Sequence, residues 1–194
     1  MRVLVVHAHP LKTSFVSALR DRVVETLRAS GHEIDELDLY AEGFDPVLPA
    51  EQMRAYVDVP RNALTVRPYV ERLRAADALA LVFPVWFDGL PAILQGYFQR
   101  VFLPGVATVI DEGGLFHANL RNLKRLGAVA AYGERASGVM AKDDPPRRFV
   151  RDNIGVLTAP GSSFDYLAIY GMDFSTAPRR EAFLRRIART FARW

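Results

Sequence analysis

The stretch Phe83-Pro84-Val85-Trp86-Phe87-Asp88-Gly89-Leu90-Pro91-Ala92-Ile93-Leu94-Gln95-Gly96-Tyr97-Phe98 decides the fold. The residues before it, Ala78-Leu79-Ala80-Leu81-Val82, are apolar without alternation, the pattern of a strand covered by helices on both faces. Pro84 has no backbone donor, so the ladder is expected to end there. Pro91 suits the opening of the apolar, aromatic helix that follows, because a first-turn position needs no donor and the fixed φ of proline is already helical. This order places Trp86 and Phe87 just past the carboxyl end of a central strand, where open α/β sheets bind ligands.

Outward from this junction the chain alternates strand and helix. Residues 2–6 form a short apolar run, and 14–29 carry Phe15, Ala18, Leu19, Val23 and Leu27 at helical spacing, closed by Gly31. Residues 33–39 alternate apolar and acidic, as an edge strand does. Asp45-Pro46 and Leu48-Pro49 mark a loop, 51–74 reads as irregular or helical, and 111–119, with Gly113-Gly114, reads as a loop. A buried strand over 126–132, a helix over 146–154, a last strand over 164–170 and a closing helix over 178–193 complete the pattern. Such alternation predicts an α/β three-layer sandwich, one domain spanning 1–194, around a five-stranded parallel sheet of flavodoxin-like order 2-1-3-4-5. No repeat, low-complexity tract or linker interrupts it.

A chain of 194 residues with 50% hydrophobic content buries one substantial core. Its 25 Lys and Arg against 22 Asp and Glu imply no nucleic-acid partner, and Arg179, Arg180, Arg185, Arg186, Arg189 and Arg193 read as the solvated face of the last helix. Cysteine is absent, which excludes disulfides, thiolate metal sites and thiol nucleophiles, so any redox chemistry has to come from a cofactor. His7, His9 and Lys12 interrupt the N-terminal apolar run too early for a signal peptide, and nothing approaches the ~20 apolar residues of a membrane span. The expectation is a cytoplasmic protein without membrane insertion.

The loop after the first strand, His7-Ala8-His9-Pro10-Leu11-Lys12-Thr13-Ser14-Phe15, runs into a helix that Thr13 or Ser14 can cap. A helix N-terminus offers free N–H groups and partial positive charge to a phosphate, with the Thr13 and Ser14 hydroxyls and Lys12 at hand; an ordinary capped helix has the same sequence. Neither a Walker motif nor Gly-x-Gly-x-x-Gly is present. His7 and His9 share a strand face, but no third ligand matches them and no metal is expected. His9 is placed beside a ligand, and His7 is read as packed or exposed without special duty.

Taken together, Ala8-His9-Pro10, Thr13-Ser14-Phe15, Asp38-Leu39-Tyr40, Phe44-Asp45-Pro46, Phe83-Pro84 with Trp86-Phe87, Pro91-Ala92-Ile93-Leu94 and Arg100-Val101-Phe102 resemble the NAD(P)H:quinone oxidoreductase family. These are flavodoxin-like flavoproteins that include quinone-reducing ancillary subunits of potassium efflux systems. The likeness runs to about Gly133 and weakens beyond. It implies a flavin, FAD or FMN, with His9, Thr13, Ser14 and Phe15 at its phosphate and ribityl end, Pro84, Val85, Trp86 and Phe87 at its ring, and Tyr132 and Gly133 in a second ring-facing loop. It also implies NAD(P)H as co-substrate, ping-pong hydride transfer through flavin N5 to a quinone-like acceptor, and a homodimer to which the helix over 92–102 contributes unless it only covers the sheet.

One departure bears on catalysis. Family members carry Thr-Thr-Gly-Gly after the fourth strand and a Tyr and His downstream, whereas this chain has Ala130-Ala131-Tyr132-Gly133 and no His. Tyr132 is the candidate catalytic group, as a phenol at the flavin edge, or else a packed aromatic. Val16 and Ala130 also replace polar family residues. The competing functional class is a flavodoxin-like regulatory or ancillary subunit of a transporter with little turnover of its own.

Overall fold

The computed structural model describes residues 1–194. Five parallel strands form the sheet: β1 (Arg2–His7), β2 (Glu33–Asp38), β3 (Ala78–Val85), β6 (Arg125–Tyr132) and β7 (Ser163–Ile169). Their spatial order is β2-β1-β3-β6-β7, which is the expected 2-1-3-4-5 when sheet strands alone are counted. The helices are α1 (Phe15–Ala29), α2 (Ala50–Arg54), α3 (Arg67–Ala75), α4 (Ala92–Val101), α5 (Ala136–Ala141), α6 (Pro145–Arg148) and α7 (Ala177–Phe191).

Strand parity divides the core into two layers. Val3, Val5, Ala78, Ala80, Val82, Val129 and Ala131 face α1 and α7, meeting Leu19, Val23, Phe183 and Ile187. Leu4, Val6, Leu79, Leu81, Phe83, Ala128 and Ala130 face the other way, onto Val70 and Leu73 of α3 and Leu94, Tyr97 and Phe98 of α4. All of these side chains are buried, and together they make the continuous apolar runs that doubly covered strands require.

Pro84 does not end its ladder. β3 continues to Val85, with Pro84 opposite Ala131 and Val85 opposite Tyr132. Ala8 N–H donates to the Val82 carbonyl at 3.0 Å, so Val82 and, two residues on, Pro84 turn their backbone polar groups toward β1. By then β1 has ended at His7, and no strand asks for the donor that proline lacks.

Residues 111–119, read as a loop, contain half of a hairpin: β4 (Thr108–Ile110) pairs antiparallel with β5 (Phe116–Ala118). Asp111 holds the turn, accepting from Leu115 N–H at 2.9 Å and bonding His117 Nε2 at 2.7 Å, while Gly114 takes φ +81°. Several motif residues prove to be scaffold. Gly96 lies so close to Pro46 that a Cβ would overlap it. Arg100, buried, donates to the Asp45 carbonyl at 2.5 Å and to Gln52 Oε1 at 3.1 Å, fastening the loop after β2 to α4. α4 itself packs inward through Ile93, Leu94, Tyr97 and Phe98, so it covers the sheet. No helix is long and apolar enough to cross a membrane.

Candidate active site

The loops after β1, β3, β6 and β7 converge on a cleft of about 250 Å³ at the carboxyl end of the sheet. His9, Ser14, Phe15, Pro84, Val85, Trp86 and Gly133, all expected at a ligand, line it together. Val16, Ala131, Met172 and Asp173 complete the wall.

Ser14 caps α1: its backbone is extended, with ψ 158°, and its Oγ accepts from Ser17 N–H at 3.1 Å. The cap uses one of the free donors of the first turn. The N–H groups of Phe15 and Val16 have no acceptor in the chain, so two oriented donors and the positive end of a 15-residue helix face the cleft. Thr13, the alternative cap, lies in the preceding turn with its side chain exposed and outside the cleft wall.

His9 lies across from this helix end. Its Nδ1 accepts from Leu11 N–H at 3.0 Å, so the neutral ring carries its proton on Nε2. Burial pushes its imidazole below the usual histidine range, which favours that neutral form. Its ring meets Trp86 at 5.9 Å between centroids. Trp86 is 42% exposed, an aromatic surface left open within the wall. The following turn folds back through Gly89 N–H to the Trp86 carbonyl at 2.9 Å and drives Phe87 and Asp88 to φ +49° and +56°. Phe87 consequently points into solvent, and its contact is with a second cavity of about 240 Å³, shared with Asp88, Glu134 and Lys142.

Tyr132 is placed differently from the expectation of a phenol at the cleft. It shares a strand face with Ala128 and Ala130, whereas Ala131 shares the face of the cleft. Its ring turns toward the second cavity and its hydroxyl is buried, donating to Asp144 Oδ1 at 2.6 Å and receiving the Tyr166 hydroxyl at 2.5 Å. Tyr170 donates to Asp144 Oδ2 at 3.1 Å, so three phenols gather around one carboxyl group. Burial raises the phenols of Tyr132 and Tyr166 well above the ordinary value and, with the nearby Asp144, that of Tyr170 to about 12. They stay protonated at any physiological pH.

Gly133, in the cleft wall, and Glu134, at the second cavity, leave their N–H groups without partners in the chain. A Cβ on Gly133 would stand 2.9 Å from the Asp173 carboxyl oxygen, so this glycine lets the loop after β7 close against the loop after β6. Met172 and Asp173 escaped sequence reasoning, although Gly171 before them, at φ +60°, marks the same kind of strand-end turn that made 83–89 visible. Lys142 bonds Asp88 at 2.8 Å and Glu134 at 2.7 Å, tying the aromatic turn to the loop after β6. Arg135 stacks over Phe174 at 6.0 Å.

Residues 1–190 match the protein family described by its flavodoxin-like fold. NAD(P)H dehydrogenase (quinone) 1 of Rattus norvegicus is 35% identical over 133 residues, 58% of this chain and 48% of that protein. An FMN-dependent NADH:quinone oxidoreductase of Lachnoclostridium phytofermentans is 29% identical over 169 residues, 78% of this chain and 80% of that protein. The chain thus spans about half the length of the mammalian relatives and about four fifths of the bacterial one. In three dimensions the NAD(P)H:quinone oxidoreductase from Methanothermobacter marburgensis superposes with a TM-score of 0.80 at 24% identity, covering 99% of this chain and 96% of that one, a likeness of fold.

Proposed function

Because this chain belongs to the family with the flavodoxin-like fold, we propose that it is an FMN-dependent NAD(P)H oxidoreductase that reduces quinones or azo compounds. The observation that carries the reading is the convergence, in one cleft, of unpartnered Phe15 and Val16 N–H groups, the Ser14 hydroxyl and an open Trp86 ring. An anion and a planar ring joined by a polar chain fit that set. FMN is favoured over FAD because Met172 and Asp173 wall one side of the cleft and because the relative sharing most of its length with this chain is named FMN-dependent.

When bound, a flavin would supply hydride acceptance and donation at N5. The chain supplies position and electrostatics. Phe15 and Val16 N–H and the α1 dipole hold the phosphate. Trp86 covers the ring and excludes water from it. The unpartnered N–H of Gly133, in the cleft wall, would be a donor for the negative charge that reduction places on the ring edge. Tyr132 acts through the backbone it anchors, since its hydroxyl is already committed to Asp144. No side-chain nucleophile takes part. A homodimer belongs to the same proposal, with the exposed Ile110, Leu115 and Phe116 of the β4–β5 hairpin as its contact surface.

The test is the visible spectrum of the protein after incubation with FMN or FAD, followed by anaerobic NADH or NADPH. Retained FMN that bleaches and recovers on adding a quinone or an azo dye supports the reading. Flavin that binds and never bleaches transfers it to the regulatory class, and failure to retain either flavin overturns it.

A further inference from the structure

His7 has no part in the reading above, yet it is the buried end of a hydrogen-bond chain that leads into the cleft. Strand parity puts it on the face of Val3 and Val5, beneath α1, where it is 1% exposed. Asp38, at the end of β2, bonds its Nδ1 at 3.1 Å. Its Nε2 faces Ser17 Oγ at 3.4 Å, and Ser17 Oγ lies 3.0 Å from Ser14 Oγ, the capping hydroxyl at the cleft. Arg20 of α1 reaches Asp38 Oδ2 at 3.3 Å, and His9 on the adjoining loop is the other titratable group that bears on His7; its neighbour across the ladder in β3 is Val82.

We propose that His7 is a positioning residue for the anionic end of the flavin, orienting the Ser14 hydroxyl through Ser17 and taking up a proton as the phosphate binds. The inference rests on the flavin reading of the cleft. Asp38 fixes the proton of neutral His7 on Nδ1, leaving a lone pair on Nε2. Ser17 gives its own proton to the Leu11 carbonyl at 2.9 Å, so it presents only lone pairs to Nε2 and to Ser14. The Ser14 proton is then drawn inward, away from the cleft. A proton on Nε2 makes Ser17 Oγ accept from His7 as well as from Ser14, and an oxygen that accepts twice holds each donor less strongly, so the Ser14 hydroxyl turns more readily toward an anion. The imidazolium charge acts in the same sense. Burial holds His7 below the ordinary histidine range despite Asp38, so the proton arrives with the anion. Linkage makes the coupling reciprocal: phosphate raises the proton affinity of His7 as much as the proton raises that for phosphate.

The experiment compares FMN with riboflavin, which lacks the phosphate, on wild type and His7→Gln at about pH 5.5 and about pH 8.5. His7→Gln is expected to weaken FMN about tenfold at the lower pH, the equivalent of one unit of linkage, and less than about twofold at the higher. Riboflavin affinity should not change. The ratio between proteins at each pH cancels the ionisation of FMN itself and of His9. Ser17→Ala keeps His7 and Asp38 but removes the acceptor that holds the Ser14 proton inward, so if His7→Gln fails to fold, this variant should show no acid-side loss and should bind FMN more tightly than wild type at the higher pH. In wild type, the His7 ring titration followed by NMR should move upward with FMN and stay put with riboflavin. Equal losses at both pH values, equal losses for both flavins, or an unmoved His7 titration overturns the proposal. A wild type that binds neither flavin overturns instead the reading beneath it.

Discussion

The loops after β1 and β6 flank one cleft and are held in opposite ways. After β1, once Ala8 has bonded across to Val82, the hydrogen bonds that shape the backbone are near in sequence: Ser14 caps α1 through Ser17, and His9 accepts from Leu11. After β6, the restraints come from afar. Tyr132 and Tyr170 close on Asp144, Tyr166 joins them from β7, and Lys142 reaches Asp88 of the aromatic turn. The first loop is a local device that keeps its shape wherever a helix starts; the second depends on the assembled sheet. A ligand held between them has one wall that is prepaid in local hydrogen bonds and one that is only as firm as the tertiary packing behind it.

The sharpest way to break this contrast is Asp144→Ala. It strands the hydroxyls of Tyr132 and Tyr170 in the core and removes the acceptor of Arg147 N–H, and it should cost about 3 kcal/mol in urea unfolding, with flavin release following the loss of stability. A cost below about 1 kcal/mol would mean that the second loop does not rely on the cluster. Ser14→Ala should cost about 1 kcal/mol through the lost cap while weakening FMN retention in equilibrium dialysis about tenfold. Tyr132→Phe keeps the ring and should cost at most about 1 kcal/mol, with stopped-flow flavin reduction unchanged; a slowed reduction would restore its phenol to the chemistry.

A smaller effect separates the loops by pH. His7 titrates lower in the folded chain than its ordinary ~6.5, chiefly through burial. Below that ordinary value the unfolded chain takes up the proton first, so stability is full above about pH 6.5 and declines toward the folded value as pH falls. Urea midpoints should show this slope, and His7→Gln should flatten it down to what His9, displaced in the same direction, contributes. Lys142→Ala is expected to leave the midpoint unchanged, because its ion pairs lie in solvent.

What the sequence shows and what it hides follow the same division. Apolar runs, the Ser14 cap and the Trp86 turn are short-range patterns, and they were enough to place the sheet order and most of one cleft wall. Strand parity was also available and points Tyr132 away from Ala131, but a position matched to a motif carries no face with it. The hairpin signal was present too, since Thr108-Val109-Ile110 and Leu115-Phe116 are β-branched and apolar around Asp111, yet Gly113-Gly114 read more strongly as a loop. The duty of His7 was out of reach, because its partner Asp38 is 31 residues away and meets it only when β2 pairs with β1.

Pro84 sits where β1 has ended and β3 goes on, so the interior of the sheet opens there into a short unpaired edge. A strand edge of that kind invites another extended chain to add itself, the route to misassembly that folded sheets guard against. At this edge the position that would have to donate is a proline, and a visiting peptide finds an acceptor without the matching donor. The notch therefore rejects backbone as a guest and stays free for a molecule whose hydrogen bonds are made to the surrounding loops instead.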